Sequence, residues 1–230
     1  MVRTPIVARP HDLLELRAPV VIPDNTSECV MPNWAALALA EAPFVVVRRA
    51  PQVGRLIPAG IRGTERHQRW PCFVDFENIE RLIPPMDLLA LRGRINRERQ
   101  NTVPALQRFQ ALASQWERIP YPWGPFGSVG FELASGLPVT CLTSDLDIVL
   151  YVGKPFSQDV GRVLLGSIEG IGGCVDVHVE TPQCAFSLAE YSTRDGTRIL
   201  LRGLHGCRLG FHPWTEKTGN SLRGLPRTTC

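Results

Sequence analysis

No stretch of this 230-residue chain is apolar for long enough to cross a bilayer as a helix. The longest candidate, WAALALAEAPFVVV from Trp34 to Val47, is broken by Glu41 and Pro43. The N-terminus lacks the charged-then-apolar pattern of an export signal, so no membrane association is expected and the expected compartment is the cytoplasm. Paired cysteines are missing as well. The seven cysteines, at positions 29, 72, 141, 174, 184, 207 and 230, are odd in number, widely spaced and form no CxxC. That pattern argues against a zinc site or a disulfide framework and for reduced thiols. No internal repeat is visible, and a net charge of +3 is too small to imply a nucleic-acid partner. The cations are unevenly spread: Arg92, Arg94, Arg97 and Arg99 crowd RGRINRERQ, relieved only by Glu98. Such a run is either a solvated helix face or a site for a phosphate-rich ligand or an acidic protein.

What is present is ample core material. With 44% hydrophobic residues, the chain can bury one large or two small domains. HDLLEL is short and apolar, PFVVVRRA reads as a strand, and RLIPAGIRG as a second strand closing on glycine. Pro84 and Pro85 punctuate the chain, which places a domain boundary there. Beyond it, Asp87 is expected to cap a helix running towards Gln100. A second helix is expected from Pro104 to Arg118, with Leu106, Phe109, Leu112, Ala113 and Trp116 forming an apolar stripe. SVGFELASGL reads as a short helix ending near Gly136, SQDVGRVLLGSI as another helix, and CVDVHVETP as a strand. The Asp195-Gly196 pair suits a hairpin turn before RILLRG. From His212 to Cys230 no apolar pattern remains, so a loose tail is expected.

The chemistry concentrates in GPFGSVGFELASGLPVTCLTSDLDIVLYV, Gly124 to Val152. Side chains on a strand alternate, so Asp145 and Asp147 point the same way, about 7 Å apart. Leu146, Ile148, Leu150 and Val152 form the opposite, apolar face, while Val149 and Tyr151 continue the acidic face as greasy residues. The strand therefore lies well inside a sheet, with two mutually repelling carboxylates at its mouth. A cation between them turns the repulsion into ligation. Gly127-Ser128, opening a helix just before, offers unpaired backbone N–H groups and a hydroxyl to a phosphate tail. Asp176 on the later strand supplies a third carboxylate. Three acids on neighbouring strands can hold two divalent cations for phosphoryl transfer, and without a cation they should raise one another's pKa values.

Gly-Ser, then SDLDIVL, then a single acid in VDVHV resembles the nucleotidyltransferase superfamily over Gly127 to Val179. A narrower resemblance covers most of the chain. HDLLEL, IPAGIRGTERHQRW, WGPFGSVGFELASGLP and TSDLDIVLY are similar to the phosphoribosyl-dephospho-CoA transferase family, the holo-acyl-carrier-protein synthases of bacterial malonate decarboxylase. The resemblance implies transfer of phosphoribosyl-dephospho-CoA from a triphosphoribosyl-dephospho-CoA precursor to a serine of the acyl carrier protein, with release of pyrophosphate. It also implies an α+β fold: a nucleotidyltransferase-like mixed sheet with helices over residues 87–211, preceded by a smaller α+β domain over residues 1–86. A cleft between the two would bind the long precursor.

On this reading Asp145, Asp147 and Asp176 are the catalytic and metal-binding residues, with Mg²⁺ the expected ion. Asp176 either binds a second cation or accepts the serine proton. Gly127 and Ser128 hold the departing pyrophosphate. Arg62, Arg66 and Arg69, with His67 among them, are candidates for the substrate's phosphates or the carrier's acidic surface. His178 shares a face with Asp176 and either orients it or is a structural partner, and Trp123 either stacks on adenine or packs. Two rival readings stand beside this one. A nucleotidyltransferase with another acceptor would use a donor such as ATP, and a non-enzymatic binding module would tolerate loss of Asp145.

Overall fold

A computed structural model describes residues 7–24, 30–194 and 196–214. The chain forms two six-stranded sheets with helices between and around them, an α+β fold. The first sheet contains β1 (Leu13–Leu16), β2 (Ile22–Pro23), β3 (Phe44–Val47), β4 (Leu56–Arg62), β5 (Arg69–Asp75) and β6 (Ile79–Ile83). Its order is β2-β5-β4-β3-β1-β6 and every pairing is antiparallel. Period-2 patterning builds it: Ile57, Ala59 and Ile61 on β4 and Trp70, Cys72 and Val74 on β5 are all buried. Helix α1 (Asn33–Glu41), which the sequence reading left unassigned, adds Ala35 and Leu39 to the same core. The opposite side of this sheet is covered in part. Leu13, Phe44 and Ile83 belong to the larger core of the second half, so the two halves share packed interior across the Pro84-Pro85 punctuation.

The second half continues with a 3₁₀ helix (Pro85–Arg94), α2 (Arg97–Thr102), α3 (Pro104–Gln115), β7 (Trp123–Pro125), α4 (Gly127–Ser135), β8 (Leu146–Tyr151), α5 (Gln158–Glu169), β9 (Val175–Glu180), β10 (Ala185–Ser187), α6 (Leu188–Thr193), β11 (Ile199–Gly203) and β12 (Gly206–Gly210). Strand order is β12-β11-β10-β9-β8-β7. The sheet is mixed, as expected: β8 and β9, joined through α5, are parallel and the other neighbours antiparallel. Helix α3 buries its whole predicted stripe, with Phe109 and Leu112 fully enclosed.

Three expectations change. Asp87 caps nothing: the Pro84-Pro85 pair starts a 3₁₀ helix, the chain extends at buried Ile95, and Asn96 caps α2 by accepting the Glu98 N–H at 2.7 Å. Asp195 lies outside the described residues, and Gly196, at φ +66°, follows a helix rather than a strand, so no hairpin turns there. The missed signal is Ser187-x-x-Glu190, whose serine Oγ accepts the Glu190 N–H and starts α6. The hairpin is β11–β12 instead. Of the expected tail, residues 215–230 lie outside the described residues, but Trp214 is anchored. Its indole donates to the Val152 carbonyl at 3.0 Å and packs edge-on against Phe156, Phe186 and Tyr191.

The arginine run divides by role. Arg92, Arg94 and Arg97 are exposed, whereas Arg99 grips buried Glu132 of α4 through Nε (2.8 Å) and Nη2 (2.9 Å) and also bonds the Thr140 carbonyl (2.7 Å). The Thr140 N–H donates to the same carboxylate at 2.8 Å. This network fixes α4 and the chain leading to β8. Glu132→Ala leaves a half-buried guanidinium and a buried N–H unsatisfied, so an equilibrium urea titration should show a loss of about 3 kcal/mol.

Candidate functional site

The site is assembled by the turn between β7 and β8's acidic end. The Phe126 N–H donates to the Asp147 carbonyl at 2.9 Å, which pins the start of α4 to the strand. Gly127 then adopts φ +62°. A Cβ there would lie 2.1 Å from Asp147 Oδ2, so the position excludes a side chain on two counts, backbone conformation and carboxylate contact. Ser128 follows, buried in the first helical turn. The first N–H groups of α4 have no intrahelical acceptor and carry the helix's positive end.

A cavity of about 160 Å³ opens here. Arg62, Arg66 and Arg69, from β4, the β4–β5 connection and β5, line it together with Gly127, Ser128, Asp145 and Asp147. Seven of the eight candidate residues are thus together, although the first three are separated from the rest by 58 residues or more of chain. Arg62 is mostly buried, its pKa pushed down to about 10 by burial and by Arg69, and it remains charged at neutral pH. Its Nε is buried with no hydrogen-bond partner among the described residues. Burial and neighbouring Arg66 also lower Arg69. Arg66 lies 3.5 Å from Asp145 Oδ2, but its side chain is 89% exposed, so the pair contributes little. Mutually repelling arginines and an orphaned N–H are suited to an anion.

Asp176 stands apart. It is the register partner of Asp147 on the parallel neighbour, but it does not line the cavity. Its Oδ2 lies 3.1 Å from His178 Nε2. The expected mutual raising of pKa values holds for Asp147, through burial first, then Asp176 and Asp145, against the opposing effect of His178. It does not hold for Asp176, whose hydrogen bond to His178 pulls it down. Among the described residues no group of three His, Cys, Asp or Glu side chains is close enough to hold a metal. Mg²⁺ is ordinarily held by only one or two protein carboxylates, with phosphate and water oxygens completing its shell, a number that Asp145 and Asp147 match. His67 is exposed and does not line the cavity, its ring nitrogen 3.3 Å from Glu65. Trp123 packs: its indole donates to the Trp116 carbonyl and meets that ring edge-on at 5.3 Å.

The sequence reading missed two features. Cys141 lines the cavity, exposed, and its thiol is drawn down to about 7 by hydrogen bonds with the Ser144 and Thr143 hydroxyls. The second is a clasp between halves. His11, in the left-handed region at φ +76°, places its ring 4.1 Å from Phe126 and 5.8 Å from His178, with Nε2 3.3 Å from Glu180 Oε1. Arg49 pairs with the same Glu180 oxygen. Burial keeps His11 below its ordinary pKa. Glu180, which burial alone would raise, is brought below its own by His11 and Arg49. The signal was the series Asp176, His178 and Glu180 on one strand face, in which Glu180 is legible from the sequence but was given no role.

A helix N-terminus, clustered arginines and paired carboxylates around one cavity are the equipment of a transferase acting on phosphorylated substrates. Comparisons with known proteins narrow that class. Residues 9–85 match the phosphoribosyl-dephospho-CoA transferase MdcG N-terminal domain and residues 90–213 the MdcG C-terminal domain. Curated proteins named phosphoribosyl-dephospho-CoA transferase are similar over nearly the full length. One from Pseudomonas fluorescens is 34% identical, covering 90% of this chain and 94% of the relative. One from Klebsiella pneumoniae is 35% identical, covering 90% and 96%, and one from Azotobacter vinelandii 32% identical, covering 94% and 99%. No solved structure matches the chain. The chain belongs to the phosphoribosyl-dephospho-CoA transferase family.

The raised Asp147 pKa has a consequence for stability. Folding holds this carboxylate in a place that favours its protonated form, so below its ordinary pKa of 3.8 it costs nothing, and the cost appears as pH rises through the higher folded value. Asp147→Asn should therefore stabilise the metal-free protein at pH 7 by about 1 kcal/mol and give no advantage at pH 3, while abolishing activity. Denaturation midpoints at the two pH values check this.

Proposed function

We propose that this chain transfers the phosphoribosyl-dephospho-CoA group from 2'-(5''-triphosphoribosyl)-3'-dephospho-CoA to a serine of the malonate decarboxylase acyl carrier protein, releasing pyrophosphate. The observation that carries this reading is the meeting of Arg62, Arg66 and Arg69 with the Gly127-Ser128 turn and the two aspartates around one cavity. That arrangement suits a triphosphate at its reacting end. The serine Oγ attacks the phosphorus nearest the ribose, an O–P bond forms as the bond to the next phosphate's bridging oxygen breaks, and pyrophosphate leaves with both electrons of that bond.

Positioning and charge neutralisation do most of the work. The arginines take the phosphates, and the α4 N-terminus with Ser128 takes the departing pyrophosphate. Asp145 and Asp147 would hold Mg²⁺, which when bound offsets charge on the triphosphate and leaving group. Asp176, held by His178 outside the cavity lining, accepts the serine proton or completes the cation site. The five described cysteines are free thiols, in keeping with a reducing cytoplasm as the site of reaction.

Intact mass of the purified carrier, after incubation with this protein, Mg²⁺ and either triphosphoribosyl-dephospho-CoA or ATP, tests the reading. Expected is a gain equal to phosphoribosyl-dephospho-CoA with the first donor alone, lost on chelation and reduced about 100-fold or more in Asp145→Asn. A nucleotidyl adduct from ATP would establish the rival donor, and no gain from either would overturn the transfer.

A further inference from the structure

The parallel pairing of β8 and β9 lays out three rows on the sheet face that carries the aspartates: Asp147 beside Asp176, Val149 beside His178, and Tyr151 beside Glu180. The first row belongs to the site above. The second is covered by the rings of His11 and Phe126. At the third, about 13 Å along the strand from Asp147, a second and larger cavity of about 660 Å³ opens between this sheet and residues 7–10.

Its size is that of a small-molecule site, and its walls, among them Pro122, Val152, Pro182 and Leu204, are mostly apolar. Two polar features are left over. The Tyr151 hydroxyl is buried without a hydrogen-bond partner among the described residues, an arrangement that costs free energy until a ligand supplies one. Arg9 is exposed, its guanidinium 5.8 Å over the Tyr151 ring, and makes no ion pair among the described residues. The other arginine, Arg49, is neutralised by Glu180.

The geometry points to a second subsite for the same substrate: this cavity takes the pantetheine arm of a dephospho-CoA, with Arg9 at its mouth on the diphosphate that joins arm to adenosine. The inference rests on the transfer reading, and the ligand's own layout supports it. Such a donor carries two separate anionic groups, the reacting triphosphate and the diphosphate, with a narrow, largely apolar chain beyond the second. The protein presents Arg62, Arg66 and Arg69 near one end of a strand face, Arg9 near the other, and an apolar cavity beyond. An arm amide can bond the unpartnered Tyr151 hydroxyl.

Gly153 lines the cavity, is exposed, and a Cβ there meets nothing within 4 Å, so Gly153→Trp can obstruct the space without removing a buried contact. Calorimetric titration with dephospho-CoA and with ADP, which lacks the arm, reads the effect. Wild type should bind dephospho-CoA at least tenfold more tightly than ADP. Gly153→Trp should erase that margin while ADP affinity stays within twofold, and in carrier loading the loss should fall on donor KM. Leu204→Trp, on the same rim, should repeat the result if Gly153→Trp fails to fold. Equal affinity of wild type for the two ligands, or a margin that survives both substitutions, would overturn the subsite. A carrier that gains no mass although the margin behaves as stated would overturn the transfer reading and leave the subsite standing.

Discussion

The parallel pairing of β8 with β9 is the constraint on which the rest depends. In parallel strands side-chain alternation stays in phase, so one register decides every neighbour along both strands. Here it aligns Asp147 with Asp176 at one end and Tyr151 with Glu180 at the other. A slip of one residue would send one set of polar groups into the apolar layer formed by Leu146, Ile148 and Leu150, all fully buried. The register is therefore held by hydrophobic burial on one face, and the chemistry on the other face inherits its spacing.

That chemistry is arranged against stability. Asp147 is partly withdrawn from water beside a helix start, and Arg62 and Arg69 are pressed together on the facing sheet. Each group alone is in an unfavourable place, and among the described residues neither arginine has a carboxylate at bonding distance. Elsewhere the same chain satisfies a buried charge thoroughly: Glu132 has Arg99 and a backbone N–H, and Glu180 has His11 and Arg49. The contrast separates charges that hold the fold from charges that, on the proposed reading, are kept for a ligand.

The chemical half of the site was legible because its signals are local. Gly127-Ser128 and the Asp145-Asp147 alternation lie within a short stretch whose apolar framing reveals strand and helix directly, and the α3 stripe is read the same way. The arginines could be named from IRGTERHQRW, but their approach to the aspartates depends on how two sheets pack, which no local pattern encodes. His11 was missed for a related reason. A left-handed histidine bridging to Glu180 is set by tertiary contacts that override the residue's ordinary backbone preference. The error at Asp87 was a contest between neighbouring caps, where Asn96 prevailed by reaching a backbone N–H.

The clasp at Glu180 bears on how such a chain can change over generations. One buried carboxylate near the end of β9 receives both His11 and Arg49, and Leu13, Phe44 and Ile83 enter the larger core. Exchanging the first eighty residues for those of a distant relative would strand that carboxylate and open a void at the same seam. The two halves are recognisable as separate sequence families, yet physically they form a matched pair whose drift is coupled. Recombination at the Pro84-Pro85 junction would therefore be tolerated only between chains that already agree at these few positions.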